Sequence, residues 1–239
     1  MIYCDLTLPS PEENLACDEA LLDVCEEGET GEVLRFWEPE QYFVVVGYAN
    51  QAATEVNLPF CEAIAIPVLR RCTGGGTVLQ GPGCLNYALI LCLEDLGPLQ
   101  SISGTNEFIL RRHQQALAEM LGAPVELRGH TDLAIGGLKF SGNAQRRKRH
   151  CLIFHGSFLL EFDIEMIAKA LPMPSKQPEY RRQRAHGDFL RNLNMPAERV
   201  KSALRKAWNA AEPYEGIPFE RVSALVRAKY GRDDWNRKF

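Results

Sequence analysis

Arg70-Arg71-Cys72-Thr73-Gly74-Gly75-Gly76-Thr77-Val78-Leu79-Gln80 is the stretch on which the fold turns. Ile66 to Arg71 reads as a strand running into the glycines, and Thr77 to Gln80 reads as a strand leaving them. Consecutive glycines cost conformational entropy, so they stand where a backbone bends tightly or a ligand lies against it. The stretch is not a phosphate-binding P-loop, because G-x-x-x-x-G-K-[ST] is absent. It is not a dinucleotide fingerprint either, because no G-x-G-x-x-G opens a helix. Exposed amides in such a turn bind anions such as phosphate, and Arg70 and Arg71 add cationic donors beside it. A plain hairpin bulge is the alternative.

The flanking segments extend this picture. Ser10-Pro11-Glu12-Glu13 has the form of a capping box with proline in the first turn, and predicts a helix to about Glu27 with Leu15, Leu22 and Cys25 on one face. Val33 to Trp37 and Tyr42 to Gly47 read as strands, and the apolar run Phe43-Val44-Val45-Val46 predicts one covered on both faces. Downstream, Leu85 to Leu93, Val125 to Arg128, Leu133 to Ile135 and Leu138 to Ser141 read as strands. Gly136-Gly137 is a hairpin signal between the last two. Phe108 to Leu121 predicts an amphipathic helix ending near Gly122. Leu152 to Phe162 predicts a strand interrupted at His155-Gly156, and Asp163 caps a helix to about Leu171. A basic loop follows, then helices begun at Pro196 and Pro218. Strands and helices mix without a βαβ rhythm, which predicts an α+β or mixed-sheet α/β domain rather than a doubly wound parallel sheet.

The chain has 239 residues, enough for one large domain or two small ones and for a core without staples. Its 46% hydrophobic and 24% charged residues are the balance of an ordinary soluble protein. No apolar run has the length of a membrane span, and the N-terminal residues lack the pattern of a signal peptide; the expectation is a cytoplasmic protein without a membrane partner. A net charge of −4 argues against a nucleic-acid partner. Two basic clusters, Arg146-Arg147-Lys148-Arg149 and Arg181, Arg182 and Arg184, are either solvated faces or a patch for an acidic partner or a phosphate. The eight cysteines are scattered with no C-x-x-C pair. That spacing fits neither a zinc site nor a disulfide framework, and predicts small core residues.

Chemistry-bearing residues recur further along. Lys139 lies in an apolar strand beside a glycine turn; it either neutralises a carboxylate and a phosphate brought together or snorkels from a strand edge. Asp132 holds Lys139 or a metal, or is a turn residue. His155, before Gly156, contacts a ligand or is a satisfied core histidine.

The ordered set Arg70-Arg-Cys-Thr-Gly-Gly-Gly-Thr-Val78, Leu85-Asn86, Thr131-Asp-Leu133, Gly137-Leu-Lys-Phe-Ser-Gly-Asn-Ala144 and His155-Gly-Ser-Phe-Leu-Leu160 resembles the lipoate–protein ligase A family, within the biotin/lipoate ligase and octanoyltransferase superfamily. Asn14-Leu15-Ala16 and Val45-Val46-Gly47 match as well, and the resemblance spans residues 10 to 236 or so. It implies a catalytic domain similar to those of class II tRNA synthetases and biotin–protein ligases. It implies an acyl chain in an apolar tunnel walled by the glycines, and Lys139 on the acid carboxylate and the α-phosphate. ATP or acyl-adenylate would be held by Arg71, Gly74, Gly75, Gly76, Thr77, Val78 and Leu79, with Gly142, Asn143 and His155 around it. Asp132 would lie near the phosphates or Mg²⁺. The implied reaction activates lipoate or octanoate with ATP and transfers the acyl group to a lysine of an acceptor lipoyl domain.

Two departures bear on this. Related octanoyltransferases form a thioester on a cysteine, one subgroup at the position occupied here by Pro124, and no cysteine lies between Cys92 and Cys151. Cys72 reads as packing. Many ligases carry a small additional C-terminal domain; residues 1–239 read as the catalytic domain alone, with that part expected on a separate small accessory subunit or dispensable. Gln80 also replaces a histidine frequent after the glycines. An ATP-independent octanoyl or lipoyl transferase and a non-catalytic acyl- or nucleotide-binding homologue are the other readings.

Overall fold

A computed structural model of the chain describes residues 1–93 and 97–239. Strands β1 (Ile2–Asp5), β2 (Val33–Trp37), β6 (Cys84–Cys92), β7 (Glu126–Arg128), β8 (Asp132–Ile135), β9 (Leu138–Arg147), β10 (Cys151–Leu159) and β11 (Glu212–Pro213) form a mixed sheet ordered β11-β1-β2-β6-β10-β9-β8-β7. Strands β3 (Phe43–Val46), β4 (Val68–Arg70) and β5 (Val78–Gln80) form a smaller sheet ordered β4-β3-β5. The mixed α/β architecture anticipated from the sequence is the one observed.

One face of the large sheet packs Leu34, Leu89 and Phe154 against Ile109 and Leu117 of α4 (Ile102–Leu121) and Val200 and Leu204 of α7 (Ala197–Ala207). The other face packs Val33, Ala88 and Ile153 against Leu21 and Leu22 of α1 (Pro11–Glu26) and Val45 of the small sheet. The far side of the small sheet is closed by Ala52 of α2 (Ala52–Glu55), Cys61 of α3 (Leu58–Ala63) and Ile167 of α5 (Ile164–Ala170). This is why Phe43 to Val46 is buried at every residue. Each fully buried Leu of α1 contributes about 1.5–3 kcal/mol. Helices α6 (His186–Phe189), α8 (Phe219–Leu225) and α9 (Asp233–Asn236), with 3-10 turns at Pro98–Gln100 and Glu179–Arg181 and a π-helical turn at Val226–Tyr230, complete the described elements. No helix among the described residues is long and apolar enough to cross a membrane.

Local signals located most elements. Ser10 and Glu13 form the reciprocal capping box that starts α1. Gly136 and Gly137 take φ of 60° and 73°, the left-handed pair of a two-residue hairpin turn. Among the differences from the expected elements are these three. Helix α4 begins at Ile102, because the Ser101 hydroxyl accepts from the Gly104 amide at 3.0 Å. Strand β9 runs on to Arg147, paired along its length with β10. Strand β10 is not interrupted at His155-Gly156; both residues pair with β6 and β9. Gly156 is there because a Cβ at this position would collide with the Asn143 side chain lying across it.

Candidate active site

A single cross-strand row supplies the floor of the site. Trp37 pairs with Asn86, Asn86 with Ser157, Ser157 with Gly142, and Gly142 with Asp132. Directly opposed residues share a face, and all five line one cavity of about 490 Å³. The glycine turn, Leu15 and Asp18 of α1, and the segment from Leu171 to Leu190 form its walls. A more open groove of about 670 Å³ lies between α4 and α7 but contains none of the motif residues. Every ligand-contacting residue that the resemblance implies lines the smaller cavity except Gly74.

Lys139 reaches this face through a bulge. It is three residues from Gly142, so strict alternation would turn it to the opposite face from Asp132. The β8–β9 register shifts between Leu133 and Ala134, leaving Lys139 opposite Ala134, which shares the face of Asp132. The Lys139 ammonium then lies 2.8 Å from Asp132 Oδ1, with its side chain 25% exposed. A Cβ at residue 142 would stand 2.7 Å from Lys139 Nζ, so Gly142 makes room for the ammonium. Asp132 Oδ2 accepts from the Tyr180 hydroxyl at 2.8 Å. Burial and the Asp132 carboxylate push the Tyr180 phenol well above its usual range, so it remains a donor. Tyr180 was not legible as a site residue, since it sits in a polar loop nearly fifty positions from its partner.

Lys139 and Asp132 are therefore an ion pair inside the cavity. Both Asp132 oxygens are engaged, and Asp18, the other carboxylate lining the cavity, is bound to Arg35. A resident magnesium site needs an octahedral set of oxygen ligands, and the donors here do not form one.

The glycine turn differs from the simplest expectation. Arg71 does not hold out a free fork. Its Nε donates to Thr73 Oγ1 at 2.9 Å, and its Nη2 donates to the carbonyls of Gly74 and Gly76 at 2.6 and 2.7 Å. The Asn50 amide donates to the Gly75 carbonyl at 3.1 Å. Burial pulls the Arg71 guanidinium down to about 10, still charged at neutral pH. Arg70 turns away altogether: it donates to the carbonyls of Gly47, Tyr48, Asn50, Trp235 and Asn236. The carbonyls of the turn are thus tied back, whereas the amides of Gly74, Gly75 and Gly76 have no acceptor among the described residues. Unpaired amides in a turn are an anion site.

A polar chain anchors this turn. Thr73 Oγ1 lies 2.7 Å from His155 Nε2, and His155 Nδ1 lies 3.4 Å from Asp18 Oδ2. Asp18 bonds the fully buried Arg35, which also donates to the Asn14 and Leu6 carbonyls. Thr73 is 1% exposed, which makes this chain a clamp between β10, α1, β2 and the glycine turn. Asn143 is similarly held: Tyr87 donates to its Oδ1, and it exchanges bonds with Thr131. Cys72 is buried, burial pushes its thiol up to about 11, and it does not line the cavity. Pro124 is exposed on the α4–β7 turn and lies off the cavity, so counting back from Lys139 does not locate a residue of the site.

Five of the seven basic side chains in the two clusters, Arg146, Arg147, Lys148, Arg181 and Arg184, are engaged. Arg146 pairs with Glu19, Lys148 pairs with Asp23, and Arg147 donates to Thr105 and the Leu99 carbonyl. Arg181 and Arg184 bond each other's carbonyls and both stack on Phe189. They brace the segment that carries Tyr180 over Asp132.

Five buried polar atoms in the cavity lining have no partner among the described residues: Trp37 Nε1, Gln80 Oε1, Asn86 Nδ2, Ser141 Oγ and Gln177 Oε1. Buried polar groups are almost always bonded, so these are docking points for ligand atoms or water. No cysteine lines the cavity among the described residues. An ammonium, unpaired amides and the apolar side chains of Leu15, Val45, Val78, Leu79, Ile167 and Leu171 in the wall together suit a ligand with an anionic head and an apolar tail.

Comparison with known proteins agrees with this chemistry. The lipoyl protein ligase A/B catalytic domain matches residues 10–208. The octanoyltransferase LipM of Lysinibacillus sphaericus is 28% identical, covering 96% of this chain and 95% of its own. The probable lipoate-protein ligase A of Mycoplasma pneumoniae is 30% identical, covering 97% of this chain and 70% of its own. A solved structure of a bi-partite lipoate protein ligase from Thermoplasma acidophilum, studied with its E2 lipoyl domain, has the same fold, with a TM-score of 0.81 at 22% identity over 99% of this chain and 96% of that one.

Proposed function

This chain belongs to the lipoyl protein ligase A/B catalytic domain family, and on that premise we propose that it is an AMP-forming ligase for lipoate or octanoate. The observation that carries the reading is the composition of the cavity: the Lys139–Asp132 pair and unpaired glycine-turn amides are present, and a cysteine able to carry a thioester is not.

The lipoate carboxylate attacks the α-phosphorus of ATP, brought as its magnesium complex, and pyrophosphate leaves. Lys139 lies between the two anions and offsets the charge that builds as they meet. The amides of Gly75 and Gly76 hold phosphate oxygens, and Arg71 keeps those amides turned outward. The acyl tail occupies the apolar part of the cavity. A lysine amine of an acceptor lipoyl domain then attacks the acyl carbon, loses its proton, and releases AMP. Activation as a mixed anhydride removes any need for an enzyme nucleophile. We further propose that residues 1–239 act as the catalytic unit, and that a small separate subunit assists them, as the bi-partite ligase of T. acidophilum suggests.

The full-length match to LipM favours a second reading, ATP-independent acyl transfer between carrier proteins. One assay separates the two. The purified chain, supplied with lipoate, ATP and an apo lipoyl domain, should form AMP and pyrophosphate in step with lipoylated product. Modification from an octanoyl-carrier thioester without ATP, and none with free acid and ATP even when a small partner subunit is added, would favour the transferase.

A further inference from the structure

We propose that Cys25, Cys92 and Cys151 form a site for one thiophilic d10 cation, zinc above all, at the end of the large sheet away from the acyl cavity. The spacing of the cysteines along the chain argues against such a site; the fold gathers these three. Cys92 and Cys151 are directly opposed on β6 and β10, and Cys25 comes to them from the last turn of α1. Their ligand atoms all lie within 4.8 Å of one another, the sole such group of His, Cys, Asp or Glu among the described residues. The Sγ separations are 3.8 Å for Cys25–Cys92, 3.9 Å for Cys92–Cys151 and 3.0 Å for Cys25–Cys151.

Zinc–sulfur bonds of about 2.3 Å at tetrahedral angles place sulfurs about 3.75 Å apart. Two edges already have that length, and the third must open by less than about 1 Å to match it. A disulfide would join only two of the three sulfurs and leave the other beside it, whereas a cation is bound by all of them. Cys25 and Cys151 are buried and Cys92 is exposed, so the fourth position opens on the solvent side, where water completes the set. Glu32 accepts from the Cys92 amide, and Glu26 accepts from the amides of Arg149, His150 and Cys151. These carboxylates add negative charge next to the thiols. Each ligating thiol releases its proton on binding, so affinity rises with pH. None of the three cysteines lines the acyl cavity. The bound cation would instead staple the end of α1, the helix that carries Asp18, to the two central strands.

The test uses the full chain, freshly reduced and kept free of oxygen, titrated with Co²⁺. One equivalent should produce thiolate-to-cobalt charge-transfer absorption, which Zn²⁺ abolishes. Cys92→Ser, at an exposed position, should fold normally by circular dichroism and bind Co²⁺ about a hundredfold more weakly. Cys61→Ala, in a different cluster, should bind as the parent does. Absence of the band at one equivalent, or unchanged affinity in Cys92→Ser, overturns the proposal. So does protein purified without reductant whose mass is lower by two hydrogens through a Cys25–Cys151 disulfide.

Discussion

Replacing Lys139 with Met keeps the stem and removes the ammonium. Unit charges about 4 Å apart interact by about 4 kcal/mol at an effective dielectric of about 20. Lys139 is 25% exposed and shares its charge with Asp132 at 2.8 Å, so the part left for an incoming oxyanion is smaller. We take it as about 2–3 kcal/mol, or roughly 30- to 160-fold in rate. The assay is pyrophosphate release at saturating lipoate and ATP, with an unfolding curve for the same preparation. The partly exposed pair is worth only about 0–1 kcal/mol to the fold, so Lys139→Met should unfold within about that margin of the parent. The reasoning fails if Lys139→Met retains more than about a third of parental turnover, well short of the loss computed from its charge. It also fails if lost activity is matched by a collapse of stability, which would make Lys139 a structural residue.

Arg71→Lys removes the fork that ties back the Gly74 and Gly76 carbonyls; it should destabilise the fold by about 2 kcal/mol in urea denaturation and raise KM for ATP more than KM for lipoate. Cys72→Ser should keep most activity, because the thiol is buried off the cavity; a dead but folded variant would give Cys72 a chemical role. His113 is buried with Trp208 Nε1 donating to its Nε2 at 2.8 Å, and burial lowers it to about 3. Its folded value lies below the unfolded one of about 6.5, so the unfolded state takes the proton first as pH falls. Stability is therefore full above about pH 6.5 and declines by up to about 1.4 kcal/mol per pH unit on the way to pH 3. Urea midpoints at pH 7 and 5 should differ less for His113→Gln than for the parent; equal differences would place the histidine in solvent.

Features governed by near neighbours were legible in the residues. The capping box at Ser10 and Glu13, the glycine hairpin at Gly136-Gly137 and the Asp163 cap of α5 each rest on contacts a few positions apart. The candidate site residues named from the motifs all line the cavity except Gly74, but most of the cavity wall, Trp37, Tyr87, Ile167 and Phe189 among it, was not named. What the named residues do was less legible. Arg71 looked like a phosphate donor and proved to be the tie of its own turn. Arg146 and Lys148 were readable either as a solvated face or as a patch for an acidic partner, and they pair with Glu19 and Asp23 of α1, more than a hundred positions away. Partners at that distance leave no local signal.

The sequence by itself determined the family, the glycine turn, the strand–turn–strand order that rules out the doubly wound folds, and the identity of Lys139 and Asp132. The glycine turn and the strand order follow from local backbone preference, and the family and the choice of Lys139 and Asp132 from the resemblance that the ordered motifs carry. Only the tertiary structure decided that Lys139 faces Asp132, because a one-residue bulge reverses the side that alternation assigns. It alone placed Tyr180 on Asp132, and it alone gathered Cys25, Cys92 and Cys151. Each of these depends on how separate elements are registered against one another, and register is fixed by packing across the whole sheet rather than by neighbours along the chain.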